Sequence, residues 1–124
     1  MVKTLLLFGL FFCGLSVLMG AFGAHALKDK LSEYSMSIYD KAVFYQIFHA
    51  VGILVVSILG QLFNTQDFNI SGWLFIIGIL LFSGSLFLLS FTGIKWLGAI
   101  TPIGGTMFIV GWFLLFFKIL KMQI

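Results

Sequence analysis

The sequence predicts an all-α, polytopic membrane protein: a four-transmembrane-helix bundle with a short amphipathic segment between the first and second helices. Two observations carry this. Of 124 residues, 61% are hydrophobic and 9% charged, with a mean hydropathy of +1.18, which leaves too little polar surface to cover a water-soluble domain. The apolar residues also fall into four runs, each near the roughly 20 residues needed to cross a hydrocarbon core about 30 Å thick. Spans at about 4–26, 41–63, 72–91 and 97–120, with short connections, make one domain over 1–124 and leave no room for a soluble one. The formal charge of +3 comes from seven lysines against four acids at the ends of the runs. That pattern marks membrane surfaces and not a nucleic-acid-binding stripe, so no nucleic-acid partner is expected.

The first run, Thr4 to Ala24, follows Lys3. Ala24-His25-Ala26 mimics a signal-peptidase site, but the run exceeds a signal-peptide core of about 7–15 residues, so it is read as a retained span. Ser16, Gly20 and Ala24 recur every fourth residue, a small-residue stripe that lets membrane helices approach closely. Cys13 is the lone cysteine, which excludes an internal disulfide and makes a small buried hydrophobe its simplest reading.

Leu27 to Tyr39 carries most of the charge, with Leu27, Leu31, Tyr34 and Ile38 at helical spacing, and is read as a short helix lying in the headgroup region. The second span follows, with Gly52, Val56 and Gly60 as another close-packing stripe. Asn64 to Ser71 is a short polar connection. The third span runs from about Gly72 to Phe91, with Trp73 as an interfacial anchor and Ser83, Gly84 and Ser85 in its second half. Such serines commonly bond a carbonyl of their own helix. After a turn holding Lys95, the fourth span contains Thr101-Pro102, which reads as an N-cap followed by proline at the first helical position.

The candidate site lies on the second span. Tyr45, Gln46 and His49 are three and four residues apart, so they share a helical face. A histidine this deep in an apolar run is costly against lipid and marks a functional candidate. With the N-terminus on side A, four crossings bring His25, Tyr45, Gln46, His49, Ser83, Ser85, Thr101, Pro102, Gly104 and Gly105 toward side B. This convergence predicts a partly hydrated polar pocket in one leaflet, with His25 beside His49 and the positive end of the fourth helix favouring an anionic group. His49 is expected about 12 Å below the side-B start of its helix at Lys41, facing the first and fourth helices.

With those residues located, the chain resembles the YgdD/YwdK-type family of small bacterial membrane proteins of unknown function, which is related to a small eukaryotic transmembrane protein. The resemblance rests on GAFGAH at Gly20 to His25, YQ-x-x-H at Tyr45 to His49, LFSGSL at Leu81 to Leu86, TP-x-GG at Thr101 to Gly105, and Gly111-Trp112. It implies a four-helix protein of the bacterial inner membrane and no established activity. This chain departs from some members in having no basic residue between the second and third spans. Lysines are spread over both sides, and both termini are placed in the cytoplasm because Lys3 precedes the first span and Lys118 and Lys121 follow the last.

Three functions compete. A non-enzymatic binding or accessory protein would hold a lipid, a quinone-like molecule or a partner segment in the pocket. It is favoured because no nucleophile–base pair, paired intramembrane carboxylates or phosphate loop is visible, and Asp29, Glu33, Asp40 and Asp67 all lie in or beside loops. A proton-linked transporter or channel using His25 and His49 would need an oligomer, because four helices are few for a path. A purely structural bundle assisting a membrane complex would use the polar residues only to fix helix register. Two histidines fall short of a zinc ligand set, so neither metal nor cofactor is expected. Membrane lipids, other membrane subunits or further copies of the chain are the expected partners.

Overall fold

The computed structural model describes residues 2–124, and these form four helices, each long and apolar enough to cross a membrane: α1 (Val2–Leu27), α2 (Glu33–Leu62), α3 (Asn69–Thr92) and α4 (Lys95–Lys121). The bundle is antiparallel, helix by helix. Gly9 of α1 packs on Leu54 of α2, and Gly20 on Val43. Ser83 of α3 donates its hydroxyl to the Ala42 carbonyl of α2 (2.7 Å). Gly78 of α3 lies against the Phe108 ring of α4, while Gly111 of α4 lies against Phe75 of α3. In their most apolar stretches α2 and α3 are 44% buried and α1 and α4 only 22%, so the central pair is α2–α3 with one helix on either flank. The core runs through Phe12, Ala50, Ile53, Phe75, Ile79 and Phe108. These pairings bring the midpoints of the other three helices level with His49 and its neighbours in α2.

The second helix starts eight residues before the expected position 41. Ser32 caps it, its hydroxyl accepting the Ser35 N–H (3.1 Å), and Glu33 supplies the first-turn acid that suits the positive helix end. With a cap there and no breaker before Asp40, Glu33 to Tyr39 is the first two turns of α2 and not a separate helix lying in the headgroups. Its amphipathic pattern is that of a helix leaving the bundle. Tyr39 points back to α1, where its hydroxyl donates to the Met19 carbonyl (2.5 Å) and its ring fills the space left by Gly23.

Two helices widen locally by one residue per turn, α1 at Gly23–Leu27 and α3 at Ile79–Ser83. The turn in α3 adjoins the close approach of Gly104, whose missing side chain accommodates the backbone of Phe82. After α3, Gly93 adopts a left-handed conformation (φ 70°) and returns its N–H to Leu89 (2.8 Å), ending the helix. Gly93→Ala is therefore expected to cost about 1 kcal/mol in thermal unfolding, although no atom lies near enough to clash with the new methyl.

Thr101 does not cap α4. A short, tighter helical turn over Lys95–Ala99 leads into the α-helical part, Ile100 occupies the cap position in helical conformation, and Gly104 N–H returns to Ile100 (3.4 Å). Pro102 sits in the first turn as expected.

Candidate functional site

His49 is 3% exposed, at mid-height in the bundle, and both of its ring nitrogens are engaged. The indole N–H of Trp112 on α4 donates to Nε2 (3.0 Å), so Nε2 is unprotonated and Nδ1 carries the proton that is shared with the Tyr45 carbonyl (2.8 Å). The imidazole lies flat on Phe108 of α4, with ring centroids 3.4 Å apart and planes 8° from parallel, and meets the edge of Phe75 on α3 at 5.5 Å. A neutral, fully hydrogen-bonded histidine is the form that can be buried here without a large desolvation cost.

Side chains and not backbones join α2 to α4 at this level. Between the two helices lies a groove of about 570 Å³, lined by Phe44, Tyr45, Phe48, His49, Phe82, Gly105, Phe108, Ile109 and Trp112. Phe44, Phe48 and Ile109 on its rim are more than half exposed, which in a membrane means that the groove opens sideways to lipid. Tyr45, 37% exposed and packed on Phe82 (4.6 Å), brings its only hydroxyl.

Of the ten residues singled out from the sequence, the groove gathers three: Tyr45, His49 and Gly105. Gln46 is buried but turns toward α1, its amide reaching the Phe12 carbonyl at 3.4 Å. His49 accordingly faces α3 and α4 and not α1. His25 is exposed at the end of α1, two residues past Gly23, which packs on Tyr39. From Tyr39 to His49 is ten residues, or about 15 Å along the helix, so the two histidines are not neighbours. Ser83 is spent on Ala42. Ser85 bonds the Phe82 carbonyl (2.9 Å) and Thr101 (2.6 Å across to α4). Pro102 is exposed, and Gly104 is buried on Phe82.

On side B, Ser85 and Thr101 thus bond each other while Ser83 and Gln46 are taken up by backbone carbonyls, and these groups do not open into a shared hydrated pocket. The cavity that does exist is walled by aromatic rings. The first turn of α4, continuous with the turn before it, does not line the groove. Among the described residues no group of three or more His, Cys, Asp or Glu is placed to hold a metal ion. Sequence reasoning passed over Phe108 and Trp112, the two ring partners of His49, and the only signal for either was the Gly111-Trp112 pair. Their spacing of four puts them on one face of α4.

Four apolar helices around a buried aromatic and histidine centre define a small polytopic α-helical membrane protein. The chain belongs to the family described as protein of unknown function DUF423, whose sequence profile matches residues 19–105. A UPF0382 membrane protein of Staphylococcus epidermidis is 45% identical over 122 residues, covering 97% of this chain and 98% of the relative. A counterpart in Staphylococcus haemolyticus is 43% identical over the same length. The UPF0382 membrane protein YwdK of Bacillus subtilis is 41% identical over 115 residues, covering 92% of this chain and 94% of its own. No solved structure matches.

Proposed function

We propose that this is a non-enzymatic binding protein of the bacterial cell membrane whose groove between α2 and α4 holds a flat-ringed, lipid-soluble molecule of the isoprenoid-quinone class. The observation that carries this is the groove itself: about 570 Å³, walled by six phenyl, phenol or indole rings and one imidazole, and open to the hydrocarbon side. Ligand pockets of about 300–1,000 Å³ with mostly apolar walls and few polar groups suit small molecules. Offset and edge-on ring contacts favour a planar aromatic or quinonoid head, and the Tyr45 hydroxyl is the donor for its carbonyl. Binding fits better than catalysis or proton transfer because His49 already has partners on both nitrogens, so a proton reaches Nε2 only by displacing Trp112. The proposal also keeps both chain ends in the cytoplasm, on the strength of Lys3, Lys118 and Lys121.

Extraction of the full chain in native-lipid discs, followed by mass spectrometry, tests this. A ring-bearing lipid is expected at a stoichiometry above its share of bulk membrane. Ile109→Trp, which fills the groove from an exposed rim position, should remove it while helix content is kept. Finding no enrichment in the wild type would defeat the reading.

A structural role is the second reading, favoured by the His49–Trp112 bond, which adds a polar link to the ring contacts between α2 and α4. In that case the groove is covered by another subunit or a second copy of the chain, and crosslinks from Phe48 or Ile109 would fall on protein.

A further inference from the structure

At the side-A end of the bundle, away from the groove, α4 and the loop before α3 enclose a second cavity of about 310 Å³ lined by Asp67, Phe68, Lys118, Lys121 and Met122. Both lysines belong to the last turn of α4, and the Lys118 ammonium donates to the backbone carbonyl of Asp67 and not to a carboxylate. That contact fixes one positive charge over the cavity and leaves it without an anionic partner among the described residues. From Phe108, at mid-height, to Lys118 is ten residues, or about 15 Å of helix. This is half of a hydrocarbon core about 30 Å thick, so the cavity lies at the depth of lipid phosphates.

The surroundings suit an anion with an apolar tail. Phe68 is fully buried and, with Met122, supplies an apolar base. Phe68 is also the cap residue of α3 and offers no side-chain acceptor, so the positive end of that helix is uncapped. Two lysines against one aspartate leave the lining with one net positive charge, the complement of one phosphodiester.

The geometry points to a binding site here for the phosphate of an anionic phospholipid headgroup of the phosphatidylglycerol class. Lys118 and Lys121 hold the phosphate, and the Asp67 carboxylate accepts from the glycerol hydroxyls. Basic cavities between membrane helices are the usual receptors for such headgroups. Lysines at helix ends commonly reach for the interface singly. This pair differs in sharing a concave site with a loop carbonyl that orients one of them.

The test uses the full chain in detergent, with lipid binding counted by native mass spectrometry and stability read from the unfolding temperature. The additives are phosphatidylglycerol, phosphatidylcholine and inorganic phosphate. Phosphatidylglycerol alone should bind and raise the unfolding temperature. Lys118→Gln with Lys121→Gln should weaken its binding about 30-fold, given about fivefold per lysine near a lipid surface. Lys118→Arg with Lys121→Arg should keep the preference, and Lys28→Gln with Lys30→Gln, at the other end, should leave it unchanged. Equal binding of phosphatidylcholine, or unchanged phosphatidylglycerol binding in the glutamine pair, overturns the proposal. So does inorganic phosphate reproducing the whole effect, which would mark a free-anion site. If the glutamine pair does not fold, the arginine pair decides, since loss of the preference there also overturns it.

Discussion

Gly104→Ala is expected to destabilise the protein by about 3 kcal/mol, whereas Gly105→Ala, one residue on, should change stability by less than about 0.5 kcal/mol. The contrast rests on what each new methyl would meet. At Gly104 it would run into the backbone nitrogen of Phe82, with Phe82 Cβ at 2.8 Å and Cα at 2.9 Å. Those atoms belong to the widened turn of α3 and cannot rotate away, so the helices themselves would have to separate. At Gly105 the nearest atoms are ring carbons of Phe82 at 3.5 and 3.6 Å, an ordinary contact. Thermal unfolding of both variants in the same detergent measures the difference. Equal unfolding temperatures for Gly104→Ala and the wild type would show that α3 and α4 do not approach as closely as described. Separating them would also move Phe108, the ring on which His49 lies, so the change should disturb the groove as well.

The two ends of α2 show what hydropathy reveals and what it hides. Its apolar stretch from Ala42 onward was legible, because a membrane span must be apolar throughout. Its first two turns were not, because outside the hydrocarbon a helix obeys the amphipathic pattern of a surface segment, and only the Ser32 cap separates the two readings. The site divides in a similar way. His49 stands out in sequence because a buried imidazole demands partners. The partners do not, because Phe108 and Trp112 look like any other core or lipid-facing aromatic of a chain with 16 phenylalanines. Counting polar residues on side B gave too much weight to Ser83, Ser85 and Thr101. Their hydroxyls are satisfied by a carbonyl or by each other, and such local satisfaction leaves no trace in composition.

Removing the Trp112 donor should be the more informative change, because it isolates one bond at the floor of the groove. Trp112→Phe keeps an aromatic ring against Phe75 (4.6 Å in the wild type) but leaves His49 Nε2, in a nearly fully buried residue, without a donor. An unsatisfied buried polar atom costs about 1–3 kcal/mol, to which the smaller ring adds lost packing. His49→Leu removes the acceptor and the flat contact with Phe108 and should cost a similar amount. The double variant deletes both polar partners together, so it should lose less than the sum of the two single changes, with a coupling of about 1–2 kcal/mol. Unfolding of the four proteins in one detergent closes the cycle. Strict additivity would mean that the indole N–H and the imidazole do not bond, and with that α2 and α4 would lose the polar link between them. A coupling of the expected size would establish His49 as a neutral acceptor locked by Trp112, the state in which its ring lies flat on Phe108 and holds that wall of the groove in place.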